Sequence, residues 1–299
     1  MGVSSDPEAD LHLHSEFSWD ATQGSMDESC RRALDLGLKV IAFTDHADRV
    51  EAGGAELQIS GYLECLALCR RQFPRLAILS GVELGEPHRF PDWAQGVLAE
   101  GDFDVVLGSV HCVEMGAGLV ECSRAAAEGL LSPEELIRGY FAEMMHLLQS
   151  PVEFGVLAHL EYPKRYWRSD WPRYSTSEHR EEIQAVLEAA ARRGVALEFN
   201  TTRGWDPERG LCPAPEVIHW WREAGGRAVS MGSDAHQPND VGSGLNLAMR
   251  VLEAAGFTPS AATIPLWTTS PAPTTSRTEA VPGILDAGQN QRAFRPEPI

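Results

Sequence analysis

The chain has 299 residues, 43% hydrophobic and 23% charged, enough to bury a large core without disulfide or metal staples. Its six cysteines (Cys30, Cys65, Cys69, Cys112, Cys122 and Cys212) make no CxxC pair, which excludes a small disulfide scaffold and a zinc ribbon and fits a reducing compartment. A net charge of −18, from 25 Lys and Arg against 43 Asp and Glu, argues against long nucleic acid and anionic membrane as partners, since both are held by clustered cations.

The amino terminus, MGVSSDPEAD, is acidic and polar where a secretory leader would be basic and then apolar. No run approaches the ~18 apolar residues of a membrane span. A cytoplasmic protein is expected, and the sequence sets no oligomeric state. Strands are predicted over 9–15, 39–46, 75–84, 105–111, 153–159, 195–201 and 228–236 from short apolar or β-branched runs. Helices are predicted over 26–37, 60–73, 91–100, 133–148, 177–193, 215–224 and 244–255, one after each strand. Ser132-Pro133-Glu134-Glu135 reads as an N-cap, a first-turn proline and acidic residues near the positive end of the helix dipole. Gly37 and Gly194 stand where helix-terminating glycines belong. Regular βα alternation implies parallel strands and right-handed crossovers, hence one α/β domain over 1–257. Residues 258–299 are rich in Pro, Thr, Ala and Ser with no apolar period, and are predicted to form a disordered tail.

His12 and His14 stand at i and i+2 on the first strand, so they share a face. Asp234 and His236 repeat that spacing at the end of the last. The second strand ends in Thr44-Asp45-His46, Glu83 lies near the end of the third, and His111 and His159 end the fourth and fifth. Asn200 and Arg203 follow the sixth. The C-terminal mouth of a parallel barrel is where active sites are built, on rigid strands with variable loops. A single histidine at a strand end is ordinarily a hydrogen-bonded structural residue. His12, His14, His46, Glu83, His111, His159, Asp234 and His236 on one rim are a different matter, and their chemistry is metal binding. Imidazole with carboxylate suits Zn, Mn or Fe better than Ca or Mg. The ligands outnumber the needs of one ion, so two or three divalent ions are expected. Ions about 3.5–4 Å apart can share a bridging hydroxide and clamp a phosphoryl centre.

The segments Asp10-Leu11-His12-Leu13-His14-Ser15, Phe43-Thr44-Asp45-His46, Gly108-Ser109-Val110-His111, Leu197-Glu198-Phe199-Asn200-Thr201 and Gly232-Ser233-Asp234-Ala235-His236 together resemble the successive motifs of the PHP (polymerase and histidinol phosphatase) family. The likeness runs from residue 9 to residue 257 and is greatest to the histidinol-phosphatase branch. It implies a distorted seven-stranded (β/α)7 barrel with a trinuclear metal site. By the same resemblance His12, His14, Glu83 and Asp234 hold one ion, and Glu83 bridges to a second held by His111 and His159. A third takes His46, His236 and the residue six positions after the second histidine, here Asp20. Glu16, nearer the strand, is the rival to Asp20. Asp45 follows the opposite pleat from His46 and is read as orienting a ligand.

Three divalent ions against Asp20, Glu83 and Asp234 leave a pocket charge of about +3, which a phosphate dianion complements despite the acidic exterior. Arg203, Arg209, Lys164 and Arg165 are the cations considered for the remaining phosphate oxygens, since Arg binds them bidentately. The expected activity is metal-dependent phosphomonoester hydrolysis by a metal-bound hydroxide, with L-histidinol phosphate the substrate that the resemblance implies. Asp45, His46 and His236 stand as proton donors to the leaving alkoxide, beside metal-stabilised departure. The alternatives are a phosphodiesterase or nuclease acting on short nucleotides, a phosphatase for another small monoester, and a non-catalytic metal-binding module.

Glu16, Glu114 and Glu161 lie just beyond ligand-bearing strands, as partners for the ammonium of such a substrate. His88 is placed near the rim, whereas His146, His179 and His219 fall in predicted helices and are assigned to packing. Cys112 is expected to pack. Tyr166, Trp167, Trp171 and Tyr174 form an aromatic cluster after the fifth strand, read as a lid, a wall for an imidazole ring or an oligomer contact. The segments 204–215 and 162–174 depart from the usual form of the branch.

Overall fold

Apolar alternation along the strands and amphipathic helices between them produce a curled, parallel-rich sheet sheathed by helices. The computed structural model describes residues 6–49, 56–116, 118–202, 206 and 209–269. The strands are β1 (Ala9–Leu13), β2 (Val40–Phe43), β3 (His46–Ala47), β4 (Ala77–Gly85), β5 (Val105–Ser109), β6 (Cys112–Met115), β7 (Gly118–Glu121), β8 (Val156–Leu157), β9 (Ala196–Asn200), β10 (Ala228–Gly232), β11 (Phe257–Pro259) and β12 (Trp267–Thr269). The helices are α1 (Met26–Asp35), α2 (Ile59–Gln72), α3 (Pro91–Glu100), α4 (Cys122–Glu128), α5 (Pro133–Gln149), α6 (Arg180–Arg193), α7 (Pro215–Glu223) and α8 (Leu245–Ala254). Single 3-10 turns span Tyr162–Tyr166, Thr176–His179 and Pro238–Asp240.

Strands β1, β2, β4, β5, β8, β9 and β10 lie side by side in that order, and each neighbouring pair is parallel. The sheet curls until β10 returns to β1. There Asp234 N donates to His12 O at 2.8 Å, and His14 N donates to Ala235 O at 2.9 Å. Strand β3 resumes the path of β2 beyond Thr44-Asp45 and pairs with the end of β4, matching His46 to Glu83.

Each predicted strand and helix has a counterpart, and the local signals act as expected. Ser132 and Glu135 form a reciprocal capping box at the start of α5. Gly194 ends α6 at φ 78°, a left-handed conformation that only glycine adopts cheaply. The apolar residues divide between two layers. The larger cluster packs the helices against the sheet. The smaller fills the curl with short side chains such as Ala9, Ala42, Val156, Ala158, Ala196 and Ala228.

Two features depart from the prediction. The antiparallel hairpin β6–β7 and helix α4 occupy a stretch with no predicted element. The predicted disordered tail is corrected at its start. Residues 257–259 and 267–269 pair with each other, and β12 adds antiparallel to β10. Ile264, Leu266 and Trp267 supply the reason: all three are buried, the first two in the smaller cluster. Three apolar anchors within four residues suffice to order a strap, though they show no period. Residues 270–299 lie outside the described residues. Among the described residues, no helix is long and apolar enough to cross a membrane.

Candidate metal centre and active site

The parallel strands deliver ligand-type side chains to one end of the curl. His12 comes from β1 and His14 from just beyond it, His46 from β3 and Glu83 from β4. His111, His159, Asp234 and His236 follow β5, β8 and β10. Positive φ in non-glycine residues occurs at Glu86 (45°), His159 (23°), Glu161 (71°) and Asp234 (53°). Three of these four line the cavity described below. Backbone strain of this kind persists where surrounding contacts over-determine it, and it concentrates at working sites.

Glu83 is the centre of the cluster. Its Oε2 lies 3.1 Å from His12 Nε2 and 3.3 Å from His14 Nε2. Its Oε1 lies 2.7 Å from His159 Nε2 and 3.1 Å from His111 Nε2. Asp234 Oδ1 joins the first pair, 3.1 Å from His14 Nε2 and 3.6 Å from His12 Nε2. A third group forms at the mouth, where Asp20 Oδ2 is 2.9 Å from His236 Nε2 and 3.6 Å from His46 Nε2.

The donor set fits divalent cations. Imidazole nitrogens face each other at 3.0 Å between His12 and His14 and at 3.3 Å between His111 and His159, close enough to share a proton or a cation. Asp20 Oδ1 and Asp48 Oδ1 are buried carboxylate oxygens with no hydrogen-bond partner among the described residues. Burial opposes protonation of His12, yet Glu198, Asp234 and Glu83 raise its pKa well above the usual imidazole value. Against the same opposition, Asp48, Glu83 and Asp20 raise His46. Glu83 leads the groups that push His111 up to about 9 against burial. By contrast, burial lowers His159. A buried site that draws protons onto several imidazoles is short of positive charge, and divalent ions compete for the same lone pairs.

A surrounding layer holds these groups in place. Glu198 Oε1 lies 2.5 Å from His12 Nδ1, and its Oε2 accepts from His159 N at 2.7 Å, so one carboxylate orients two imidazoles. Gly232 makes room for this: a Cβ there would lie 2.3 Å from His12 Cβ and 2.9 Å from Glu198 Oε1. Asp48 Oδ2 accepts from Trp19 Nε1 at 2.9 Å and lies 3.3 Å from His46 Nδ1. Glu86 accepts from His111 N at 2.5 Å and Cys112 N at 2.8 Å, and burial pushes its pKa up to about 7.

Asp45 accepts from Ser15 N at 2.6 Å, Ser15 Oγ at 2.7 Å and Ser18 Oγ at 2.7 Å. Ser18 Oγ in turn lies 2.9 Å from His14 Nδ1 and accepts from His46 N at 3.0 Å. The fully engaged Asp45 carboxylate is absent from the cavity wall, so it braces His14 and the His46 backbone through Ser18 and is not placed to protonate a leaving group. His46 and His236 do line the cavity.

The cavity has a volume of ≈ 320 Å³. Its lining includes Glu83, His46, His111, His159, Asp234 and His236 together with Tyr162, Arg165, Tyr166, Glu121 and Ser123. Arg165 is the one predicted phosphate-binding cation that the described residues place there. Its Nη1 donates to Asp234 Oδ2 at 2.9 Å and its Nη2 to Asn200 Oδ1 at 2.6 Å. Lys164 turns the other way, donating to Glu161 Oε2 at 3.1 Å, and Arg209 lies with it along a separate cavity. Lys164 and Arg165 are neighbours on the turn over 162–166 and face different cavities, whereas Arg209 belongs to the separate segment between β9 and α7. Arg203 lies outside the described residues.

Glu16 accepts from Met26 N at 2.7 Å at the start of α1, which removes it as rival to Asp20. Neither Glu114, exposed and paired with Arg89, nor Glu161, buried beneath Lys164, lines the cavity. His88 turns onto Glu143 instead of the rim, whereas Cys112 does reach the cavity wall. Of the aromatic cluster only Tyr166 does so, while Trp167, Trp171 and Tyr174 surround the separate cavity. Asp48 and Glu198 carry no role in the sequence reading, although both obey its i, i+2 rule, with His46 and Asn200 respectively.

A family model for the PHP domain matches residues 10–202. The chain is 29% identical over 252 residues to a probable histidinol-phosphatase of Thermotoga maritima, covering 83% of this chain and 92% of that protein. It is 31% identical to a probable histidinol-phosphatase of Deinococcus radiodurans over 78% of this chain and 88% of that one. Among solved structures it resembles the histidinol phosphate phosphatase of Lactococcus lactis complexed with zinc, L-histidinol and phosphate. There the TM-score is 0.74 at 26% identity, covering 85% of this chain and 95% of that chain.

Proposed function

The chain belongs to the PHP domain family, and from that premise we propose that it is a metal-dependent phosphomonoesterase that hydrolyses L-histidinol phosphate to L-histidinol and phosphate. The observation that carries this reading is Glu83, whose two oxygens face two separate imidazole groups across a cavity that also holds a buried arginine. The names of the relatives in Thermotoga and Deinococcus, and the ligands of the Lactococcus structure, support the choice of substrate.

In this proposal His12, His14, Glu83 and Asp234 hold one ion, Glu83, His111 and His159 a second, and Asp20, His46 and His236 a third, with Zn, Mn or Fe as the metals. The seven parallel strands then form the (β/α)7 barrel of the family. Bound ions would supply Lewis-acid activation of water and charge compensation on the phosphoryl group. Arg165, fixed by Asp234 and Asn200, presents a permanent cation to the phosphoryl oxygens without reorganising during the reaction. Glu198 holds His12, and with it the geometry of the first group. Tyr162, packed against the rings of His111 and His159, and Tyr166, whose hydroxyl lies 2.9 Å from that of Tyr162, wall the cavity and exclude water from the leaving group.

The test is turnover of metal-loaded protein on L-histidinol phosphate beside p-nitrophenyl phosphate and a dinucleotide. Preference for histidinol phosphate, lost in His12→Ala and on chelation, is the expected result. Cleavage of the dinucleotide alone would replace the proposal with a phosphodiesterase. Silence on all three with metal bound would overturn it.

A further inference from the structure

Six carboxylates line the metal cavity, and five are engaged by the ion-binding groups or their supports. Asp20, Glu83 and Asp234 face the imidazoles, and Asp48 lies between Trp19 and His46. Glu86 is buried and turns its Oε1 onto the backbone N–H groups of His111 and Cys112. The sixth, Glu121, ends β7 and caps α4, in the stretch for which the sequence predicts no element. Its partners among the described residues are all neutral. Oε2 accepts from Ser123 Oγ and, at 3.0 Å, from Arg124 N, while Oε1 accepts from Tyr162 Oη at 3.3 Å.

We propose that Glu121 receives the ammonium of the substrate and so selects aminoalkyl phosphates over phosphate esters that lack an amine, an inference that rests on the phosphomonoesterase reading above. Charge is the first argument. The carboxylates that the sequence offers for this role, Glu16, Glu114 and Glu161, all stand off the cavity wall. An ammonium that enters the cavity meets its counter-charge on the lining carboxylate that no ion group claims. A carboxylate has about four lone-pair sites, and three donors leave Glu121 Oε1 with one to spare beside its longest contact.

Placement is the second. The Arg165 guanidinium carbon lies 5.2 Å from the centroid of the Tyr162 ring, and the hydroxyl of that ring reaches Glu121. One ring thus separates the cation that faces the phosphoryl group from the carboxylate. In L-histidinol phosphate the ammonium stands on the carbon next to the ester methylene, so its two charges follow in the same order along a short chain. Rigidity is the third. Glu121 is fixed by its pairing with Cys112 across the β6–β7 hairpin and by the first turn of α4, and Tyr162 by the rings of His111 and His159. A carboxylate already held in place binds a cation with little loss of freedom.

The test uses the metal-loaded full chain and two inert ligands, 3-aminopropylphosphonate and propylphosphonate, which differ by the ammonium and have no ester to hydrolyse. Calorimetric titration should show the amine ligand bound at least about tenfold more tightly. Glu121→Gln, which keeps an oxygen for Arg124 N, should remove that preference by weakening the amine ligand, and should lower kcat/KM for L-histidinol phosphate by a similar factor. Glu114→Gln, exposed and off the cavity, should keep the preference. Equal affinity for the two phosphonates in the unaltered chain would overturn the proposal, as would a preference that survives Glu121→Gln. Equal weakening of both ligands in Glu121→Gln would also overturn it, since Glu121 would then brace α4 rather than meet the amine. A Glu121-dependent preference in a chain that leaves L-histidinol phosphate intact would count against the phosphatase reading alone.

Discussion

Glu83 and Glu143 are both buried carboxylates that face histidine, yet their surroundings are opposite. Glu143 meets a permanent cation: Arg89 Nε donates to its Oε2 at 2.8 Å, a second guanidinium nitrogen reaches its Oε1, and His88 Nε2 lies 2.7 Å away. Burial opposes ionisation there, but the hydrogen bonds from His88 and Arg89 win and hold the pKa at about 2. Glu83 meets five imidazoles and no arginine, and its ionisation depends on protons or ions that those imidazoles must acquire. One network is balanced by residues of the chain and braces α5. The other has Arg165 on Asp234 but no permanent cation on Glu83, whose balancing charge must come from solution, as a ligand site requires.

The largest separation between the two should come from removing a ligand. Glu83→Gln or His12→Ala should lower turnover about 10³-fold or more and reduce the metal content measured after gel filtration. Glu143→Gln should leave metal content unchanged, and a loss of metal in that variant would erase the distinction. Arg165→Gln should come next, lowering kcat/KM roughly 10²–10³-fold with the metal retained. Full turnover in that variant would remove Arg165 from the phosphate.

The pH dependence sharpens the contrast. In the metal-free chain, carboxylates push His111 up to about 9 and raise His12 and His46, so these imidazoles keep protons at neutral pH. Metal binding must displace those protons. Affinity should therefore rise from pH 6 toward about 9, by up to about tenfold per pH unit for each proton released. Titration in buffers of different ionisation enthalpy reads the protons directly, and a pH-independent affinity would refute the charge-deficit account.

Glu143 has the opposite sign. Its depressed pKa contributes stability that is fully present above the ordinary carboxylate value and is lost as pH falls toward about 2. Glu143→Gln should cost about 1–2 kcal/mol at pH 7, read from urea midpoints, and the deficit should shrink below pH 4. A deficit that persisted unchanged at pH 3 would show that the loss is one of packing rather than charge.

Much of the site is legible from local periodicity. Residues at i and i+2 on a strand share a face, and that rule alone picks out His12 with His14 and Asp234 with His236. The same rule applied to His46 and Asp48, or to Glu198 and Asn200, would have found the carboxylates behind the imidazoles. It was silent on them because a lone acidic residue near a strand is ordinarily solvated. The strap over 257–269 was missed for a related reason: Ile264, Leu266 and Trp267 act by burial without repeating.

What the sequence determined by itself is what repeats along the chain: the βα alternation, the helix starts and stops, and the delivery of ligand-type side chains to the same end of successive strands. These follow from the 3.6- and 2-residue periods of the backbone. Only the tertiary structure decided which cation faces the metal cavity. Arg165 and Lys164 are neighbours of nearly equal chemistry, and the direction of each depends on the backbone of one short turn and on what packs against it. Asp234 and Asn200 claim the first, and Glu161 the second. Those partners are 35 and 69 residues away for Arg165, and 3 for Lys164, so no local pattern ranks them.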